Sequence, residues 1–191
     1  MNKWRALPAI LVLAALPGQL DPGIVRAAEF SAHMVLKDGS ATTRGQIFIK
    51  GDKMRHEFLD AEGHTVTIVR RDKKVLWVLL PQERTYTEIP LRLSTRLPGQ
   101  FLHIPTEALN RRKVGQETVA GLETEKYEVL LPGGERGALK QFYWISPKLG
   151  WPVKMTCPEK QIAVEYLNIR EEPPPDRLFE LPPGYRRQGA P

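Results

Sequence analysis

The chain has 191 residues, 41% of them hydrophobic and 26% charged, with a formal net charge of +6. That length gives one domain able to bury a real core. The single cysteine, Cys157, excludes an internal disulfide, so packing must supply the stability.

The N-terminus reads Met1-Asn2-Lys3-Trp4-Arg5, followed by an apolar run from Ala6 to Leu16 and by Val25-Arg26-Ala27-Ala28. A basic start, a short apolar stretch and small residues at a cleavage point predict a secretory signal over residues 1–27, cut after Ala27. Pro8 and Pro17-Gly18 leave the run too short for a bilayer, which takes ~20 apolar residues. The expected location is therefore the periplasm. Nucleic acid, ATP and cytosolic cofactors become poor ligand candidates, and no cofactor is expected. No cysteine follows the apolar run, so the usual lipid-anchor site is missing and an untethered mature domain over residues 28–191 is expected. Its modest basic excess suits anionic lipid or an acidic partner, or is a plain solvated surface.

From residue 30 onward, short alternating runs are separated by turn residues. This pattern predicts antiparallel strands joined by hairpins. Phe30 to Leu36 puts Phe30, Ala32, Met34 and Leu36 on one face. Thr42 to Lys50 follows, with a bulge expected at Gly45. Gly51-Asp52 turns the chain into Lys53 to Leu59, and further strands are expected at His64–Arg70, Lys74–Leu80 and Thr85–Ile89. Val75 to Leu80 is apolar on both faces, so something should cover the sheet there. The expected cover is the segment Leu91–Lys113, with a short helix over Thr106–Arg112 capped by Thr106. Strands resume at Val114–Val119, Glu123–Leu131, Lys140–Ile145, Pro152–Cys157 and Ile162–Ile169. The tail is proline-rich and extended, which forbids a central strand. The fold class is mainly β, with ten or eleven strands curling into a half-barrel under a short helical lid.

Catalytic motifs are absent: there is no GxSxG, HExxH or CxxC pattern. His33, His56, His64 and His103 lack metal-ligand spacing, although the first three can meet across neighbouring strands. Cys157 reads as a strand cysteine rather than a reactive thiol. The basic turn Arg70-Arg71-Asp72-Lys73-Lys74 reads as solvated, with a headgroup or partner contact as the alternative. Trp77, Phe142, Tyr143 and Trp144 fit a core and a cavity wall equally, because alternation alone does not separate the two.

Several segments, in order, resemble the LolA/LolB-like outer-membrane lipoprotein-sorting superfamily. They are Gly45-Gln46-Ile47-Phe48-Ile49-Lys50 with Lys53-Met54-Arg55, Lys74-Val75-Leu76-Trp77-Val78-Leu79-Leu80-Pro81, Gly115 to Leu122 with Lys126-Tyr127, Trp144-Ile145-Ser146 with Leu149 to Lys154, and Leu178 to Tyr185. The chain differs from the carrier LolA at Gly51, where LolA has an arginine, and in having no helix before its first strand. The resemblance implies a periplasmic half-barrel that carries or senses a lipid or lipoprotein acyl chain and catalyses nothing. On that reading Phe48, Met54, Trp77, Leu79, Tyr127, Phe142 and Trp144 line the ligand site, and Phe101, Leu102 and Leu109 form the lid. Arg55 meets a headgroup or carbonyl, or else pairs with Glu57 or Glu88. The competing reading is a sensor or envelope-complex subunit that binds a protein partner with the same fold.

Overall fold

A computed structural model describes residues 28–60, 63–92, 102–103, 110–132 and 137–188. The expected signal segment, the lid residues Phe101 and Leu109, and Thr106 to Ala108 of the expected lid helix lie outside these residues. Twelve strands form: β1 (Glu29–Asp38), β2 (Ala41–Lys50), β3 (Lys53–Asp60), β4 (Gly63–Arg70), β5 (Val75–Leu80), β6 (Thr85–Pro90), β7 (Asn110–Val119), β8 (Leu122–Pro132), β9 (Ala138–Ser146), β10 (Trp151–Cys157), β11 (Ile162–Arg170) and β12 (Arg186–Arg187). Tight turns join most neighbours, and Gly51 in the β2–β3 turn has a φ of 56°, which a side chain would strain.

All twelve strands belong to one open sheet in the order β12-β6-β5-β4-β3-β2-β1-β11-β10-β9-β8-β7. Two meanders, β1–β6 and β7–β11, are fused where the first long strand pairs with the last, Met34 opposite Tyr166 and Leu36 opposite Val164. A twisted antiparallel sheet of this width curls into a half-barrel. β6 and β7 fall in opposite halves of the sheet.

Period-two alternation gives the sheet two distinct faces. The inner face carries the main core: Phe30, Met34, Ile47, Ile49, Met54, Val69 and Leu76 from the first meander, and Val129, Tyr143, Met155, Val164 and Tyr166 from the second. The outer face of the first meander carries a second core of Val66, Ile68, Trp77 and Leu79, sealed by Phe179.

Three expectations are corrected. First, Asn110 to Arg112 begin strand β7 rather than end a helix. Their backbones pair with Leu130, Val129 and Glu128, and that ladder outweighs the local helical pattern. Second, Gly45 lies in unbroken register with both neighbours. Its role is close approach, because a Cβ there would stand 2.5 Å from the Glu57 carbonyl and 2.7 Å from His56 Nε2. The register shifts fall at Ser31/His33, Pro152/Lys154 and Lys113/Gly115 instead. Third, the outer side of the β5 run is covered by the C-terminal segment. That segment makes a 3-10 turn at Asp176–Phe179, packs Leu178, Leu181 and Tyr185 against Trp77 and its neighbours, and ends in β12 parallel to β6.

Candidate functional site

The inner face is the largest apolar surface that the two meanders build together. Phe30, Ile47, Ile49, Met54 and Tyr166 are fully buried there. Phe30 tilts against Tyr166 with ring centroids 6.1 Å apart, which joins β1 to β11 across the seam. The Tyr166 hydroxyl accepts the backbone N–H of Leu102 at 3.0 Å. Burial pushes the phenol well above its usual range, with the Leu102 N–H opposing, so the group stays a neutral hydroxyl. Leu91 and Leu102 both pack on the inner core. The connection between the two halves is therefore held to this face at those residues.

His56 also lies on the inner face, stacked on Phe58 with centroids 5.2 Å apart. Burial lowers it to about 4, against the charge of Glu57, which raises it. At neutral pH it is an uncharged ring. The chemistry this face offers is apolar contact, with a few neutral hydrogen-bonding groups at its margin.

The expected ligand lining does not share one face. The ladder registers put Met54 and Tyr127 on the inner face: Met54 sits opposite Ile49 and Val69, and Tyr127 opposite Tyr143. Phe48, Trp77 and Leu79 point to the outer face under the C-terminal segment. Phe142 and Trp144 point to the outer face of the second meander, where Lys126 lies over both rings at 5.6 and 4.6 Å. Leu102 is 1% exposed and sits against the inner core. Arg55 is also on the outer face. It donates to Glu57 at 2.6 Å and to the Leu178 carbonyl at 2.9 Å, so both its expected carboxylate partner and the carbonyl it meets belong to this chain. His33 and His64 line one outer cleft, while His56 faces inward. Tyr166 belongs to no motif, and its fixing of Leu102 depends on a contact 64 positions away in the chain. The signal available was its place in an alternating Val164–Tyr166 pair.

A conserved protein from Thermus thermophilus, itself uncharacterized, superposes with a TM-score of 0.58 at 10% identity, over 86% of this chain and 91% of that one. MucB in its complex with MucA from Pseudomonas aeruginosa superposes with a TM-score of 0.54 at 14% identity, over 81% of this chain and 56% of that one. This chain thus spans little more than half of that MucB chain. At such identities the likeness is one of fold. A LolA superfamily protein from Nitrosomonas europaea aligns at 14% identity over 81% of this chain and 90% of that one, with a TM-score of 0.38. No curated protein matches the sequence. The family model of a domain of unknown function, DUF4412, matches residues 30–146, the run from β1 to the end of β9. With more than half of its length inside that match, the chain belongs to the DUF4412 family.

Proposed function

We propose that this protein binds an apolar group, the acyl chain of a lipid or lipoprotein, on the inner face of its open sheet and carries it through the bacterial envelope. The observation that carries this reading is the inner core itself. Ten strands line it, and the connection between the meanders reaches it at Leu91 and Leu102. A ligand can replace a connection more readily than it can replace a paired strand, and each buried CH₂ contributes roughly 0.8 kcal/mol. Met54 and Tyr127 remain as lining residues, joined by Phe30, Val129 and Tyr166. Leu102 is the covering residue. The reading involves no covalent chemistry. The signal-like leader and the superfamily resemblance support a site of action in the periplasm.

The test is native mass spectrometry of the protein purified from a bacterial periplasm, followed by denaturing lipid extraction. A retained acyl-containing ligand near one per protein is the expected result. A clean apo mass, with no uptake of a fluorescent fatty acid, overturns the carrier reading.

One observation favours a second reading, a protein-binding module. β7 forms a sheet edge ten residues long, mostly exposed and, among the described residues, paired only to β8. Such an edge can accept an extended segment from a partner. MucB, which shares the fold, is known in complex with MucA.

A further inference from the structure

The outer face of β1–β4 holds a cleft of about 530 Å³ that the acyl-binding reading does not use. Its size falls in the range of small-molecule sites, roughly 300–1,000 Å³. Strand register builds it. Leu167, His33, Gln46 and Glu57 lie in one cross-strand row, and Val35 sits opposite Arg44 in the next. Directly opposed side chains in such rows stand about 5 Å apart, so His33 and Arg44, one strand and one row apart, are within reach of one small ligand.

Two features set the cleft apart from an ordinary charged surface. The first is a distortion that orients His33. Ser31 pairs with Arg170 and His33 with Leu167, so two residues of β11, Asn168 and Ile169, oppose one of β1. Asn168 takes a left-handed φ of 51°, unusual inside a strand. Its side-chain amide nitrogen lies 3.1 Å from His33 Nδ1. An amide nitrogen can only donate, so Nδ1 accepts and the proton of the neutral ring sits on Nε2 as a donor. The second feature is an unspent cation. Arg44 lines the cleft and, among the described residues, makes no hydrogen bond or ion pair. Among the described residues the carboxylate lining the cleft is Glu57, which is already neutralised by Arg55 at 2.6 Å and approached by His64 at 3.7 Å. The site therefore has donors and positive charge to spare. Val35 and Leu167 supply apolar contact beside them.

We infer that this cleft binds a phosphate-bearing organic molecule, with Arg44 and His33 Nε2 on the phosphate oxygens and the organic part against Val35 and Leu167. A guanidinium fork matches phosphate geometry. The cleft is larger than a lone phosphate, which points to an esterified one. The same chemistry is presented by a soluble organophosphate and by an anionic lipid headgroup.

The test titrates the purified protein with glycerol 3-phosphate by calorimetry, and with vesicles of phosphatidylglycerol in phosphatidylcholine by co-sedimentation. Binding of glycerol 3-phosphate that R44A weakens about tenfold identifies a soluble ligand. Vesicle binding that R44A weakens, without binding of the soluble probe, identifies a headgroup. In either case R44K retains part of the affinity, and N168A weakens binding while shifting the His33 side-chain ¹⁵N signals, as expected for a positioning residue. Arg44 is exposed, so R44A melts like the parent protein. Absence of binding to both probes overturns the inference, as does binding that R44A and H33A leave unchanged. Neither result bears on the acyl site, which lies on the other face.

Discussion

Arg70 is 4% exposed yet carries a full charge, and its surroundings explain why that is tolerated. It grips Asp72 with two nitrogens, at 2.9 and 2.6 Å, and reaches the Phe179 carbonyl and Glu180 with a third. Truncating it strands the Phe179 carbonyl and releases the end of the C-terminal segment. R70M should lose about 2 kcal/mol by urea denaturation, the cost of an unmade buried charge-assisted bond, since Asp72 and Glu180 can turn to water. The Arg70 hydrogen bonds hold the Asp72 carboxyl down at about 2, opposed by its desolvation. A depressed carboxylate stabilises above its unfolded pKa and loses that contribution as pH falls through the folded one. Asp72 therefore acts between about pH 4 and pH 2. His56 acts higher. Its folded pKa near 4 lies below the unfolded 6.5, so the unfolded chain binds more protons between those values. Stability is complete above pH 6.5 and falls as the pH drops toward 4, by about 3 kcal/mol across the window. Urea midpoints at pH 7 and pH 4.5 should therefore differ in the parent protein and converge in H56N.

The C-terminal segment shows how an element without regular hydrogen bonding can be as firmly fixed as a strand. Phe179 is fully buried, and Asp176 bridges Lys50 and Lys53 at 3.1 and 2.8 Å. Those exposed bridges contribute little, so the apolar contact does most of the fixing. F179A should cost about 3–4 kcal/mol in thermal or urea denaturation and shift Trp77 fluorescence to the red as the outer core opens. The strands were legible in the sequence because Phe30-Ala32-Met34 and Glu125-Tyr127 alternate and Lys37 to Ser40 and Gly51-Asp52 mark turns. The cover was not legible. Leu178 to Leu181 has no periodicity, and its partners Arg55 and Arg70 lie 123 and 109 positions away. Alternation also leaves open which side of an all-apolar strand faces inward. Trp77 and Leu79 therefore sit with Phe48 as expected, but on the face opposite Met54.

At the scale of the whole molecule, the two meanders share one inner core, and among the described residues the strand pairing that joins them is β1 with β11. A ligand on that face would contact both meanders and bind only where they are joined. Binding to the native state alone raises stability by RT ln(1 + [L]/Kd), about 2.7 kcal/mol at a hundredfold excess over Kd. For a domain of this size each kcal/mol moves the melting point by about 2–4 °C, so a saturating acyl ligand should raise Tm by roughly 5–10 °C. M54A should reduce that shift, because it removes contact from the inner face. R44A, on the outer face, should leave it intact. A fatty-acid titration monitored by calorimetric melting checks both variants. An unchanged Tm in the parent protein would mean that the inner core is filled by its own side chains, and the exposed β7 edge would then be the surface on which to seek a partner.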